Sequence, residues 1–81
     1  RNKKRATGYK VGFPDLFIYE PRVIDGVQYH GLALELKVKG NYASETQKQV
    51  LQTLNEKGYK ALVCTDLDET LKAINDYLFI L

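Results

Sequence analysis

The stretch Gly31-Leu32-Ala33-Leu34-Glu35-Leu36-Lys37-Val38 alternates residue types with a period of two. That period belongs to a strand, not a helix. Leu32, Leu34, Leu36 and Val38 fall on one face, expected to meet the core. Ala33, Glu35 and Lys37 fall on the other, which reads as the wet face of an antiparallel strand. Glu35 and Lys37 then stand side by side, roughly 7 Å apart. Gly12-Phe13-Pro14-Asp15-Leu16-Phe17-Ile18 reads as an earlier strand opened by Asp15. Taken singly, Glu-Leu-Lys is a solvated face or a cross-strand ion pair, and Asp15 a strand-end residue. Taken together, two acids and a lysine on neighbouring strands can hold a divalent metal and a polarised water.

Further elements follow from local signals. Asp25-Gly26, between Val23-Ile24 and Val27-Gln28-Tyr29, marks a hairpin turn whose returning strand runs to Val38. Pro21 breaks the first strand or sits at its edge. Lys39-Gly40-Asn41 is a loop. A helix is expected from Ser44 to Lys57, ended by Gly58, with Val50, Leu51 and Leu54 on its core face. Lys60 to Thr65 is an apolar strand. A second helix follows, capped by Asp66 or Thr65, with Leu67, Leu71, Ile74 and Leu78 as its apolar stripe. The order β-β-β-α-β-α predicts an α/β fold, a mixed sheet flanked by helices.

The hairpin makes a sharper demand. A simple two-residue turn at Asp25-Gly26 places Asp15 opposite Leu36, on the core face. A joint acid site needs Asp15 near Glu35 instead. One extra residue in one strand corrects the parity. Pro21 and Gly31 are the expected places. The site requires such an irregularity, or an Asp15 lying just outside the paired strand.

Gln47 shares the helix face of Val50 and Leu51, so it points towards the sheet. Ser44-x-x-Gln47 also fits a capping box, in which Gln47 closes back on the Ser44 amide. Both readings stay open. His30 is the only histidine, stands beside no identifiable partner, and receives no role. Ser44 has no Ser/His/Asp set around it.

Composition limits the alternatives. Eighty-one residues make one small domain with a thin core. Cys64 is the only cysteine, so no internal disulfide forms, and its apolar surroundings suggest a buried thiol. No Cys/His cluster suggests zinc. No apolar run is long enough to span a bilayer and no signal-peptide pattern is present, so an intracellular, cytoplasmic location is expected. The net charge is +2, but Arg1, Lys3, Lys4, Arg5 and Lys10 crowd the first ten residues without an acid. That segment is either a phosphate-contacting arm or a solvated tail. Tyr9 and Phe13 could stack on bases there, or pack on the sheet.

Pro14-Asp15 followed by Glu35-x-Lys37 looks like the PD-(D/E)xK nuclease motif. Gly12-x-Pro14-Asp15-Leu16, Gly31-Leu32-x-Leu34-Glu35-Leu36-Lys37, Gly40, Ser44-x-x-Gln47, Gly58-Tyr59 and Val63-Cys64 together resemble the VRR-NUC family, the virus-type replication-repair nucleases. The resemblance runs from about Gly12 to Leu78. It implies a restriction-endonuclease-like fold and hydrolysis of DNA phosphodiesters with Mg²⁺ or Mn²⁺. It implies Asp15, Glu35 and the Leu36 carbonyl as metal ligands, and Lys37 and Gln47 as further catalytic residues. Arg1, Lys3, Lys4, Arg5, Lys10, Lys39 and Ser44 become candidate contacts to the DNA backbone.

The family suggests branched or flapped DNA, as for Holliday junction resolvases, and a phage or bacterial setting. A module that binds nucleic acid without cutting is the alternative. A sequence-specific restriction enzyme is disfavoured, because little chain remains to read base edges. Members of the family also carry an N-terminal helix with another glutamate. No helix fits before Asp15, so the domain is expected to be N-terminally incomplete. The run Tyr77-Leu78-Phe79-Ile80-Leu81 exceeds one helix stripe and suggests a homodimer contact.

Overall fold

A computed structural model describes residues 12–38 and 40–79. Its elements are β1 (Leu16–Ile18), β2 (Arg22–Ile24), β3 (Val27–Tyr29), β4 (Leu32–Leu36), α1 (Glu45–Glu56), β5 (Lys60–Cys64) and α2 (Leu67–Leu78). β1, β4 and β5 form one sheet in the order β1-β4-β5, and β2 pairs with β3 in a separate ribbon. β1 runs antiparallel to β4, whereas β5 runs parallel to it. The mixed α/β expectation holds. The expected single returning strand does not: it divides at His30-Gly31 into β3 and β4, so among the described residues four strands precede α1.

The turn chemistry explains the ribbon. Asp25 and Gly26 both have positive φ, 51° and 80°. This is the type I′ pattern, whose twist matches that of the flanking strands. α1 starts at Ser44, whose hydroxyl accepts the Gln47 N–H. It ends in a Schellman arrangement: Tyr59 N–H donates to Leu54 C=O at 2.9 Å and Gly58 N–H to Asn55 C=O at 3.3 Å. Gly58 has φ +94°, and a Cβ there would lie 2.6 Å from His30 Cδ2. Glycine is therefore required twice over, by conformation and by space.

The helices cover opposite faces of β4. On one side Leu32, Leu34, Cys64 and Tyr77 form a buried cluster beneath α2, joined by Leu16 and Ile18. On the other, Ala33 and Ala61 pack under Leu51 and Leu54 of α1, with Phe17 beside them. The Asn55 amide fastens α1 to β5, donating to Ala61 C=O at 3.1 Å and accepting its N–H at 2.9 Å. The Tyr77 hydroxyl donates to Glu20 C=O at 2.6 Å, tying α2 to the segment between β1 and β2.

Two sequence expectations are corrected here. The face of Ala33 and Glu35 is not wet. Both residues are buried, because the strand–helix–strand crossover lays α1 over it. Conversely Leu36 and Val38, expected in the core, are exposed, since they run past the end of the paired strand. On α2 the buried line is Thr70 and Tyr77, flanked by Ala73, Ile74 and Leu78. Leu67 and Leu71 lie off it and are exposed. Tyr77 fills the volume that the leucine stripe was expected to fill. Among the described residues, no helix is long and apolar enough to cross a membrane.

Candidate functional site

The parity problem at Asp15 is resolved by one extra residue. In the ribbon, Arg22 pairs with Tyr29; in the sheet, Ile18 pairs with Leu32. Between these pairs, Tyr19-Glu20-Pro21 opposes only His30-Gly31. The register therefore slips by one, and Leu16 meets Leu34. One step further, Asp15 comes level with Glu35, just outside β1. Pro21 suits the odd residue because it has no N–H to leave unpaired. A Cβ on Gly31 would lie 2.6 Å from the Ile18 carbonyl oxygen, so only glycine lets the chains close here.

Asp15 continues the ladder with its side chain. Leu36 N–H donates to Asp15 Oδ2 at 2.9 Å, where a further β1 residue would otherwise pair. In an antiparallel pair a residue's N–H and C=O point to the same side. The Leu36 carbonyl is therefore directed to the Asp15 side as well. Four of the sequence-predicted site residues thus converge at one end of β4: Asp15, Glu35, Leu36 and Lys37.

Glu35 is the centre of this group. It is 3% exposed. Gln47 Nε2 donates to its Oε2 at 2.8 Å, and Lys37 Nζ stands 3.5 Å from the same oxygen. Its Oε1 is buried and, among the described residues, has no hydrogen-bond partner. Burial pushes the Glu35 carboxyl above the ordinary range, and the neighbouring Asp15 charge adds to this; Lys37 opposes both. A buried carboxylate with one bare oxygen beside a second acid is costly unless something positive occupies the gap.

Gln47 satisfies both readings left open by the sequence. Its Oε1 accepts the Ser44 N–H at 2.8 Å, and its own N–H donates to Ser44 Oγ at 3.1 Å, completing the capping box. Its Nε2 is then left facing Glu35. A carboxamide is the side chain that can accept from the cap and donate to a carboxylate at once.

The remaining candidates are not gathered. Arg1, Lys3, Lys4, Arg5, Lys10 and Lys39 lie outside the described residues. Ser44 stands at the mouth of the site, with its oxygen engaged as the α1 cap. His30 packs edge-on against Tyr59, 5.7 Å between ring centroids, away from the acids. Cys64 is buried, and burial pushes its thiol up, away from nucleophilic character. Among the described residues no group of three or more His, Cys, Asp or Glu side chains could hold a metal ion. Phe17 and Tyr19, whose rings stack, stand at alternate positions following Asp15. Their period-two spacing is legible in the sequence.

Comparison with known proteins bears on the family and the fold. The family profile of the VRR-NUC domain matches residues 2–66. A solved structure described as a VRR_NUC domain protein is 38% identical and superposes with a TM-score of 0.75. That match covers 85% of this chain and 54% of the solved one, so the chain spans about half the length of that relative. No curated protein matches it. With the nuclease-type fold and the family profile in agreement, this chain belongs to the VRR-NUC domain family.

Proposed function

We propose that the chain is a nuclease domain that hydrolyses DNA phosphodiesters with a divalent metal and selects branched or flapped structures. The bare, buried Oε1 of Glu35, set beside Asp15 and Lys37, carries this reading. The donors fit a hard cation. Asp15, Glu35 and the Leu36 carbonyl supply oxygen only, and so few protein ligands suit Mg²⁺ or Mn²⁺, which keep much of their water. Such an ion supplies Lewis acidity and neutralises charge on the phosphate.

The chain's own residues divide the remaining work. Gln47 holds Oε2 of Glu35 and leaves Oε1 for an ion. Asp15, just before β1, sets a second carboxylate beside Glu35. Lys37, partly exposed at the rim, places a positive charge where the phosphate gains negative charge in the transition state. Nothing in this set reads base edges, which favours recognition of the sugar-phosphate path and of DNA shape. Two copies of the domain would match a junction with two equivalent strands to cut.

Cleavage of a labelled four-way junction, a 5′ flap and a plain duplex tests this, with Mg²⁺, Mn²⁺ or EDTA. Metal-dependent cutting that disappears in Glu35→Ala and Lys37→Ala is expected. The preferred substrate separates a resolvase from a flap enzyme. Binding without cutting under every condition would replace this reading with that of a non-catalytic nucleic-acid-binding module.

A further inference from the structure

Phe13, Asp15, Phe17 and Tyr19 occupy alternate positions along β1 and the residues that flank it, and the rings fall on one side of the chain. α1 packs over β4 and β5, and among the described residues no helix covers the β1 margin of this sheet face. Three rings fill that margin in a pile. Phe13 and Phe17 are stacked with centroids 5.8 Å apart and planes 15° from parallel. Phe17 and Tyr19 are stacked at 4.6 Å and 16°. Tyr59 buttresses the central ring edge-on at 5.3 Å. The outer rings are open: Phe13 is 47% and Tyr19 74% exposed.

We propose that this pile is a stacking platform for the unpaired bases of a single-stranded DNA arm leading to the acid site. The proposal rests on the nucleic-acid reading above and narrows it from DNA structure in general to a single-stranded arm. Three features favour bases as the occupant. Near-parallel rings whose outer members are exposed match the geometry of base stacking, which any base satisfies. The platform starts two residues from Asp15, so a strand lying on it is led directly to the acids. The ten residues that open the chain carry Arg1, Lys3, Lys4, Arg5 and Lys10 with no acid, a charge balance suited to a phosphate backbone. Core formation does not account for the outer rings, since Tyr19 leaves most of its surface in water.

Binding in EDTA, where metal-dependent cutting is blocked, separates this proposal from the nuclease reading. The probe is a fluorescently labelled oligothymidylate, followed by anisotropy. A second probe has the same backbone with abasic sites, and a third is a duplex. Tyr19→Leu and Phe13→Leu keep apolar bulk and remove the flat ring. Each should weaken binding of the thymine strand by roughly tenfold. Tyr19→Phe should bind as the unaltered protein does. The abasic strand and the duplex should be bound equally by all forms, and melting curves should coincide.

Equal loss on abasic and thymine strands would overturn the platform, since backbone contact would then explain it. Unchanged thymine binding in both leucine variants would also overturn it and leave the rings as a protein-facing patch. Base-dependent loss in a protein that never cuts would keep the platform and remove the nuclease.

Discussion

The two helices open on similar local devices and use them differently. In α2, Asp66 accepts the Glu69 N–H at 2.7 Å, and Glu69 Oε1 accepts the Thr65 N–H at 2.7 Å. In α1, Ser44 and Gln47 make a similar exchange, except that Gln47 accepts the N–H of the cap residue itself, where Glu69 accepts that of the residue before the cap. Both turns satisfy amides that a helix start leaves bare. The third position is an acid in α2 and an amide in α1. An acid would serve the α1 cap equally well and would suit the positive end of the helix better. The amide makes sense only on its other side, where Nε2 meets Glu35. One opening turn is therefore a cap, and the other is a cap joined to the acid site.

The largest expected effects test whether the α1 end alone carries chemistry. Lys37→Ala should lower the cleavage rate by about 10²–10³-fold, the scale of losing one well-placed electrostatic stabiliser. Glu35→Ala should lose at least as much. Asp66→Ala, which removes the α2 cap, should cut at an unchanged rate at temperatures where it is folded. Single-turnover cleavage of the preferred substrate measures all three. A comparable loss in Asp66→Ala would erase the contrast between the two turns.

Gln47→Glu sharpens the contrast. It keeps a side-chain acceptor for the Ser44 N–H but sets a carboxylate against Glu35 Oε2. Cutting should fall by about 10–100-fold, the usual cost of losing the partner that orients a metal ligand. Divalent ion should be needed at higher concentration. A fully active Gln47→Glu protein would reduce Gln47 to a cap.

Stability should move the opposite way at Glu35. In Glu35→Gln the amide oxygen can accept from Gln47, while its NH₂ fills the bare Oε1 position and faces Asp15. Relieving one buried, unpaired acceptor is worth about 1 kcal/mol, a Tm gain of roughly 4–8 °C for a domain of this size. The variant should be more stable in EDTA and inactive with metal. The pH dependence follows from the raised Glu35 carboxyl. As pH rises, the unfolded chain loses this proton first. Stability in EDTA therefore falls from the ordinary glutamate value, about 4.3, up through the raised folded one, and the penalty is complete above it. Melting scans between acidic and neutral pH should show this slope in the unaltered protein and a shallower one in Glu35→Gln.

Much of the α1 end was legible in the sequence because its signals are local or countable. The parity of Asp15 against Glu35 depends only on the turn at Asp25-Gly26 and on where an extra residue fits, so the slip at Tyr19-Glu20-Pro21 could be required in advance. The cap at Ser44 and the stop at Gly58 are short motifs. Burial was harder to read. Alternation along β4 looks the same whether its second face meets water or α1, and only the parallel pairing with β5 decides that Ala33 and Glu35 are covered. On α2, Leu67 and Leu71 lost the core to Thr70 and Tyr77, because the position of a helix on a sheet is set by the volumes it meets there. The double role of Gln47 needed both answers at once: a local cap, and a buried acid across the crossover.

The smallest expected effect lies at the α2 counterpart. Glu69→Gln keeps the oxygen that accepts the Thr65 N–H, so the turn stays closed. What goes is one negative charge in the first turn, worth about 0.3–1 kcal/mol at low salt. The melting temperature should therefore drop slightly in dilute buffer and recover as salt screens the charge. Cleavage should not change. The reciprocal substitution at Gln47 adds that favourable charge to α1, yet should not stabilise it, because the new carboxylate faces Glu35. If helix electrostatics alone governed both turns, Glu would be the better residue at each, and Gln47→Glu would melt higher. A lower melting point in EDTA for Gln47→Glu, beside the small salt-screened loss in Glu69→Gln, would place the difference between the turns at Glu35.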